Sequence, residues 1–91
     1  MHYLLHYKYI DGFVEKRKPF REAHLKLAKS AFAKGDMTMA GVFNDPPDSA
    51  MLVFKGDDQS VVDKFVKNDP YVKNGIVTQY KIKEWKVALG G

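Results

Sequence analysis

From Tyr3 to Ile10 the chain alternates, with Tyr3, Leu5, Tyr7 and Tyr9 on one side and His2, Leu4, His6 and Lys8 on the other. A two-residue period rich in aromatics predicts a β-strand, and Asp11-Gly12 ends it as a turn. The charged stretch Glu15-Lys16-Arg17-Lys18 leads into Pro19, and a helix is expected from there to about Lys34. On that helix Phe20, His24, Leu27, Ala28 and Ala31 share a face at spacings of three and four, with Lys18, Glu22, Lys26 and Lys29 opposite. Glu22 and Lys26 are spaced to pair, and Gly35-Asp36 closes the helix.

Met37 to Phe43 is apolar enough for a second strand, with Gly41 inside it as a bulge or close-approach point. Asn44 to Ser49 has the Asn, Asp and Pro content of a loop. Ala50 to Lys55 predicts a short buried strand, and Gly56-Asp57-Asp58 a turn. Ser60 opens a second helix, with Asp63 three residues on as a variant of the capping box, and Val61, Val62, Phe65 and Val66 supply its apolar face. Ile76 to about Val87 alternates again, with Ile76, Thr78, Tyr80 and Ile82 against Val77, Gln79, Lys81, Lys83 and Trp85.

The order β-α-β-β-α-β is the ferredoxin-like pattern. It is an α+β fold with a four-stranded antiparallel sheet and both helices on one face. The other face is left bare, and at least two of Tyr3, Tyr7, Tyr9, Tyr80 and Trp85 are expected to crowd it. Exposed apolar patches of that size mark interfaces, so a homodimer packed sheet to sheet is expected.

Composition narrows the chemistry. The 91 residues make one domain, 1–91, and 45% apolar with 29% charged residues argues against disorder. With no cysteine, disulfides, zinc-thiolate sites and thiol catalysis are excluded. No apolar run approaches the ~18 residues that span a bilayer, and no basic leader precedes an apolar region. A cytoplasmic protein without a membrane partner is the expectation. The net charge of +4 is spread along the chain and draws an anionic ligand weakly. No basic patch interleaved with exposed aromatics is evident, so no nucleic-acid partner is expected; such a binder would show steep salt dependence.

The chemistry-bearing stretch is Asn68-Asp69-Pro70-Tyr71-Val72-Lys73-Asn74-Gly75. Proline keeps Asp69 out of helical backbone space and suits the first position of a new helical turn. Gly75 can end that turn in the left-handed region. The result is a fixed corner carrying Asp69 and Tyr71. His24, mid-helix on the inward stripe, is either a space-filling histidine or a general acid or base near neutrality. Asp69 is either a turn cap or the carboxylate that orients His24. Arg21, one turn before His24, either holds an anionic group or is solvated. Tyr71 either donates to an oxyanion or packs on the helix. His2 and His6 share a strand face, but no third metal ligand accompanies them. Phosphate-cradling glycine loops and the Gly-x-Ser-x-Gly and His-Glu-x-x-His motifs are absent. No metal or organic cofactor is expected.

Three segments resemble the YciI-like family (the YCII-related domain). Glu15-Lys16-Arg17, Arg21 and His24-Leu25 look like that family's E-K-R-x-x-x-R-x-x-H-L. Ala40-Gly41 falls in the second strand, and Asp69-Pro70-Tyr71-Val72 with Gly75 is similar to D-P-Y-V-x-x-G. The chain departs from the family in the short loop Asn44 to Ser49, and in having Ser49-Ala50 where many members carry a further glycine. The resemblance implies a dimeric ferredoxin-like fold and a pocket with a histidine and an aspartate, mapping onto His24 and Asp69. Related fold families include lactone isomerases and enzymes that remove chloride from hydroxylated aromatic rings. That suggests a His-Asp dyad moving protons on a small cyclic or aromatic ligand, with Arg21 and Tyr71 positioning it. The alternative is a non-catalytic ligand-binding or accessory dimer using the same pocket.

Overall fold

The structure, a computed structural model, describes residues 1–90. It contains β1 (His2–Tyr9), α1 (Phe13–Lys16), a 3-10 turn (Lys18–Phe20), α2 (Arg21–Ala33), β2 (Met37–Val42), β3 (Ser49–Lys55), α3 (Ser60–Asn68), α4 (Pro70–Lys73) and β4 (Val77–Trp85). The four strands form one antiparallel sheet in the order β2-β3-β1-β4. The α+β plan and the strand pattern follow the expectation from periodicity.

The two-residue period of β1 sends Tyr3, Leu5, Tyr7 and Tyr9 into the core, joined there by Ala50, Leu52 and Phe54 from β3. Val62, Phe65 and Val66 of α3 close over them, and Phe20, Leu27, Ala28 and Ala31 from the first crossover pack at the margin. Full burial of such side chains contributes about 1.5–3 kcal/mol each, so this one face holds the domain together.

Several local details differ from the sequence reading. The first crossover is not one helix from Pro19. The left-handed Gly12 (φ 74°) starts the extra turn α1, whose Phe13 is buried, and Pro19 sits inside the 3-10 turn. Glu22 and Lys26 form no ion pair; Lys18 instead pairs with Glu15 at 2.8 Å. In β2 the register irregularity lies between Met37 and Met39, while Gly41 pairs regularly with Met51. Ser60 is already helical: its amide donates to the Asp58 carboxylate at 2.9 Å, which caps α3 from outside, and Asp63 accepts from Gln59.

The largest difference concerns the aromatics. In the central strand β1, Tyr3, Tyr7 and Tyr9 all point beneath the helices, and Tyr80 pairs with Tyr7 on that same face at the sheet edge. Only Trp85, paired with His2, lies on the uncovered face. That face is built from Leu4, His6, Met51, Val53 and Met39, with Lys8, Lys55, Lys81 and Lys83 around them. It is less aromatic and more basic than alternation alone suggested.

Candidate functional site

Asp69 is where α3 and α4 meet, in extended backbone (φ −75°, ψ 118°) immediately before Pro70. The proline forbids a continuous helix, so the chain turns. The Asp69 side chain then caps α4, accepting the Tyr71 amide at 3.0 Å. Gly75 (φ 72°) redirects the chain into β4. This local geometry is the corner expected from the sequence.

What the corner presents is set by other elements. Asp69 is 0% exposed. One carboxylate oxygen accepts from Tyr71 N–H and lies 2.8 Å from Nδ1 of His24 on α2; the other accepts the Tyr7 hydroxyl of β1 at 2.7 Å. A buried carboxylate without donors is very costly, and here three surround it. A carboxylate without a proton can only accept, so Nδ1 of His24 is the donor toward it, and in the neutral ring this tautomer puts the lone pair on Nε2. Nε2 has no protein partner. Among the described residues no sealed-off side-chain nitrogen or oxygen lacks one, so this nitrogen touches solvent, and the His24 side chain is 12% exposed.

Aromatic rings fix the imidazole. Tyr71 stacks on His24 at 3.8 Å and 6°, and Phe65 meets it edge-on at 6.5 Å. Tyr9 stacks on Phe13 at 3.7 Å, and both meet Tyr71 edge-on, at 6.3 and 6.0 Å. The Arg17 guanidinium lies 4.8 Å over the Phe13 ring, a cation–π contact.

The three phenols hold their protons tightly. Burial drives the Tyr7 hydroxyl far above the ordinary phenol range, followed by the Asp69 charge and the hydrogen bond donated to it. Burial also raises Tyr9, with Tyr71 and Asp69 adding and Arg17 opposing. Tyr71 is raised by burial, against the charges of Arg17 and then Arg21. At neutral pH all three are donors.

Of the residues singled out from sequence, His24, Asp69 and Tyr71 come together, while Arg21 is exposed and makes no hydrogen bond or ion pair among the described residues, acting on Tyr71 through its charge alone. Sequence reasoning missed Tyr7, Tyr9, Phe13 and Arg17. The tyrosines read as core from their alternation, which is true of their rings but silent about their hydroxyls. Arg17 stood in the quoted E-K-R segment without a role. A cavity of about 380 Å³ lies between Ile10–Glu15 and Pro46–Asp48. It shares Phe13 with the aromatic cluster and is bordered by the loop between β2 and β3. No three His, Asp or Glu side chains gather as a metal site among the described residues, and no helix is long and apolar enough to cross a membrane.

Residues 1–86 match the YCII-related domain. The chain belongs to that family. No curated protein matches it in sequence. Among solved structures it is similar to 5-chloro-2-hydroxyhydroquinone dehydrochlorinase from Burkholderia phenoliruptrix AC1100, in complex with 2,5-dihydroxybenzoquinone, at 22% identity and a TM-score of 0.79 over 94% of each chain. A protein from Agrobacterium tumefaciens matches at 14% identity and a TM-score of 0.60, over 97% of this chain and 94% of that one. At these identities the likeness carries the fold, and a fold hosts many functions.

Proposed function

We propose that this YCII-related protein is an acid/base enzyme acting on a small hydroxylated ring, with His24 as the proton-transfer group and Asp69 as its orienter. The observation that carries this reading is the pairing of a buried, three-fold hydrogen-bonded Asp69 with an imidazole whose other nitrogen is free toward solvent. That is the arrangement a general base needs: a proton held on one nitrogen, a lone pair on the other, and a partner that stabilises the imidazolium once it forms. In the forward step Nε2 takes a phenolic proton. The electron pair stays on oxygen and spreads into the ring, and the proton returns to a ring carbon to give the keto tautomer. Where that carbon carries chlorine, chloride then leaves with the C–Cl electrons as a second phenolic proton is removed and the quinone forms. Tyr71 and the Arg21 charge favour the oxyanion. The dehydrochlorinase of the same fold, whose ligand is a dihydroxybenzoquinone, supports a substrate of this class.

The assembly we propose is a homodimer packed through the uncovered sheet face, in the cytoplasm. Met39 is 69% exposed and Trp85 45%, and with Leu4, Met51 and Val53 they make an apolar strip suited to a second copy. The register places Lys8, Lys55, Lys81 and Lys83 on this face and no carboxylate. Two copies therefore repel at their rims.

The test is chloride release from 5-chloro-2-hydroxyhydroquinone, together with exchange of the ring protons of 2,5-dihydroxybenzoquinone into deuterated water. Native protein should accelerate at least one, and His24→Asn should abolish it, since general acid–base catalysis contributes about 10²–10⁴-fold. Binding of either ring with no acceleration by native protein would instead identify a non-catalytic binding protein.

A further inference from the structure

We propose that Arg17, together with the hydroxyls of Tyr9 and Tyr71, forms an oxyanion subsite that receives the ionised oxygen of a planar phenolic or enolic ligand beside His24. The inference rests on the reading of His24 as the proton-transfer group, but it assigns residues and a ligand charge which that reading leaves open.

Arg17 is half-buried just beyond α1, yet it has no hydrogen bond and no carboxylate within ion-pair reach among the described residues. The nearby Glu15 is engaged by Lys18. Its guanidinium is held in place by the Phe13 ring rather than by an anion. The rings of Tyr9 and Tyr71 are buried, but their hydroxyls have no protein partner. Since no sealed polar atom among the described residues is unpaired, each hydroxyl keeps a small contact with solvent although its residue is buried.

These groups belong to one aromatic assembly. Phe13 carries Arg17, stacks on Tyr9 and meets Tyr71 edge-on, and Tyr71 stacks on His24. Arg17, Tyr9 and Tyr71 all lie against the one Phe13 ring, the guanidinium at 4.8 Å and the two phenol rings at 3.7 and 6.0 Å, and the Arg17 charge opposes the rise of both phenols. Aromatic walls with a few convergent polar groups are the usual make-up of a small-molecule site.

The chemistry of the groups selects the ligand. Arginine offers only donors, and phenols that keep their protons donate as well. A site made of donors beside a lone-pair nitrogen fits an anionic oxygen on a molecule that still has a proton to give. The planar guanidinium fork and the flat rings favour a planar, delocalised anion over a tetrahedral one. Arg21 is exposed and carries no ring contact, so Arg17 is the principal cation of the site.

The probe is 4-nitrophenol, whose yellow phenolate absorbs apart from the neutral form. Native protein is expected to bind it at millimolar concentration and to shift it toward the phenolate. Arg17→Met keeps the stem and should weaken binding at least about tenfold, the scale of losing a charge-assisted hydrogen bond. Arg21→Met should weaken it less than about threefold. Tyr9→Phe preserves the stack and should also weaken binding, which keeps the proposal testable where the Arg17 variant folds poorly. Absent binding, a bound probe that stays neutral, or a larger loss in Arg21→Met than in Arg17→Met would overturn the assignment. Asp69→Asn separates the two readings. If phenolate binding persists there but depends on Arg17, the subsite stands whatever the fate of the acid/base reading. If binding ignores Arg17 and Tyr9 while the His24 Nδ1–H signal responds to Asp69→Asn, the subsite alone has failed.

Discussion

Replacing Asp69 by asparagine removes one negative charge and almost nothing of the side chain's shape. The amide oxygen can still accept from Tyr71 N–H and His24 Nδ1–H, the two donors that share one carboxylate oxygen, which leaves the amide nitrogen facing the Tyr7 hydroxyl. Hydrogen bonds to a charged group contribute about 1.5–3 kcal/mol against ~0.5–1.5 for neutral ones. Three such bonds together weaken by roughly 3 kcal/mol, partly offset because a neutral amide is cheaper to bury. Stability should therefore fall by about 1–3 kcal/mol, leaving the protein folded. The effect on His24 is more diagnostic. Hydrogen bonds to a charged acceptor are shorter and roughly twice as strong as neutral ones, so losing the charge should lengthen the contact that holds Nδ1 2.8 Å from the carboxylate. The assay is proton–nitrogen NMR of the histidine rings at one fixed pH: the His24 Nδ1–H should resonate downfield and exchange slowly with solvent in the native protein, and move upfield and exchange faster in Asp69→Asn. His2 and His6, on the opposite face of the sheet, are internal controls and should not move. An unchanged His24 Nδ1–H signal in Asp69→Asn, or a change shared by all three histidines, would show that Asp69 is only a turn residue.

Three further outcomes follow from the same geometry. Tyr7→Phe strips a fully buried carboxylate oxygen of its donor and should destabilise by about 1–3 kcal/mol in chemical denaturation; a loss within experimental error would mean the hydroxyl is not a partner in solution. Tyr7 and Tyr9 hold their protons more tightly folded than unfolded. Below pH ~10 neither state is ionised and this stabilisation is complete. Above that the unfolded chain releases its protons first, so stability should fall with rising pH by up to about 1.4 kcal/mol per unit for each phenol. Denaturant midpoints measured from pH 9 to 11 check the slope, and a flat profile would contradict it. For the proposed dimer, Met51→Lys puts a further lysine in the middle of the sheet face and should yield monomers in sedimentation velocity. Added salt should tighten the native dimer by screening its lysines. Dissociation on adding salt would contradict that account of the interface.

The order of strands and helices, the punctuation at Gly12, Gly35 and Gly75, and the Asp69-Pro70 corner are legible along the chain because each depends on neighbouring residues. Side-chain period, proline's missing donor and glycine's freedom act over a few positions, so a one-dimensional reading reaches them. The family segments likewise single out His24 and Asp69 before any contact between them is seen. Where local signals competed, the reading slipped: Asp58 rather than Ser60 caps α3, and the Gly12 turn starts an extra helix that a charged sequence does not advertise.

Other features were decided only when the chain closed on itself. Alternation says that Tyr3, Tyr7 and Tyr9 share a face, but not which face the helices cover, because that depends on the side of the sheet to which the crossovers fold. The Tyr7 hydroxyl meets Asp69 across 62 positions of sequence, and His24 meets it across 45. The Arg17-Phe13-Tyr71-His24 assembly joins α1, α2 and α4 in one cluster of stacked and edge-on contacts. A residue's type tells what bonds it can make. Whether a buried donor finds a carboxylate or stays free for a ligand depends on which distant elements pack against it, and that is a property of the tertiary structure.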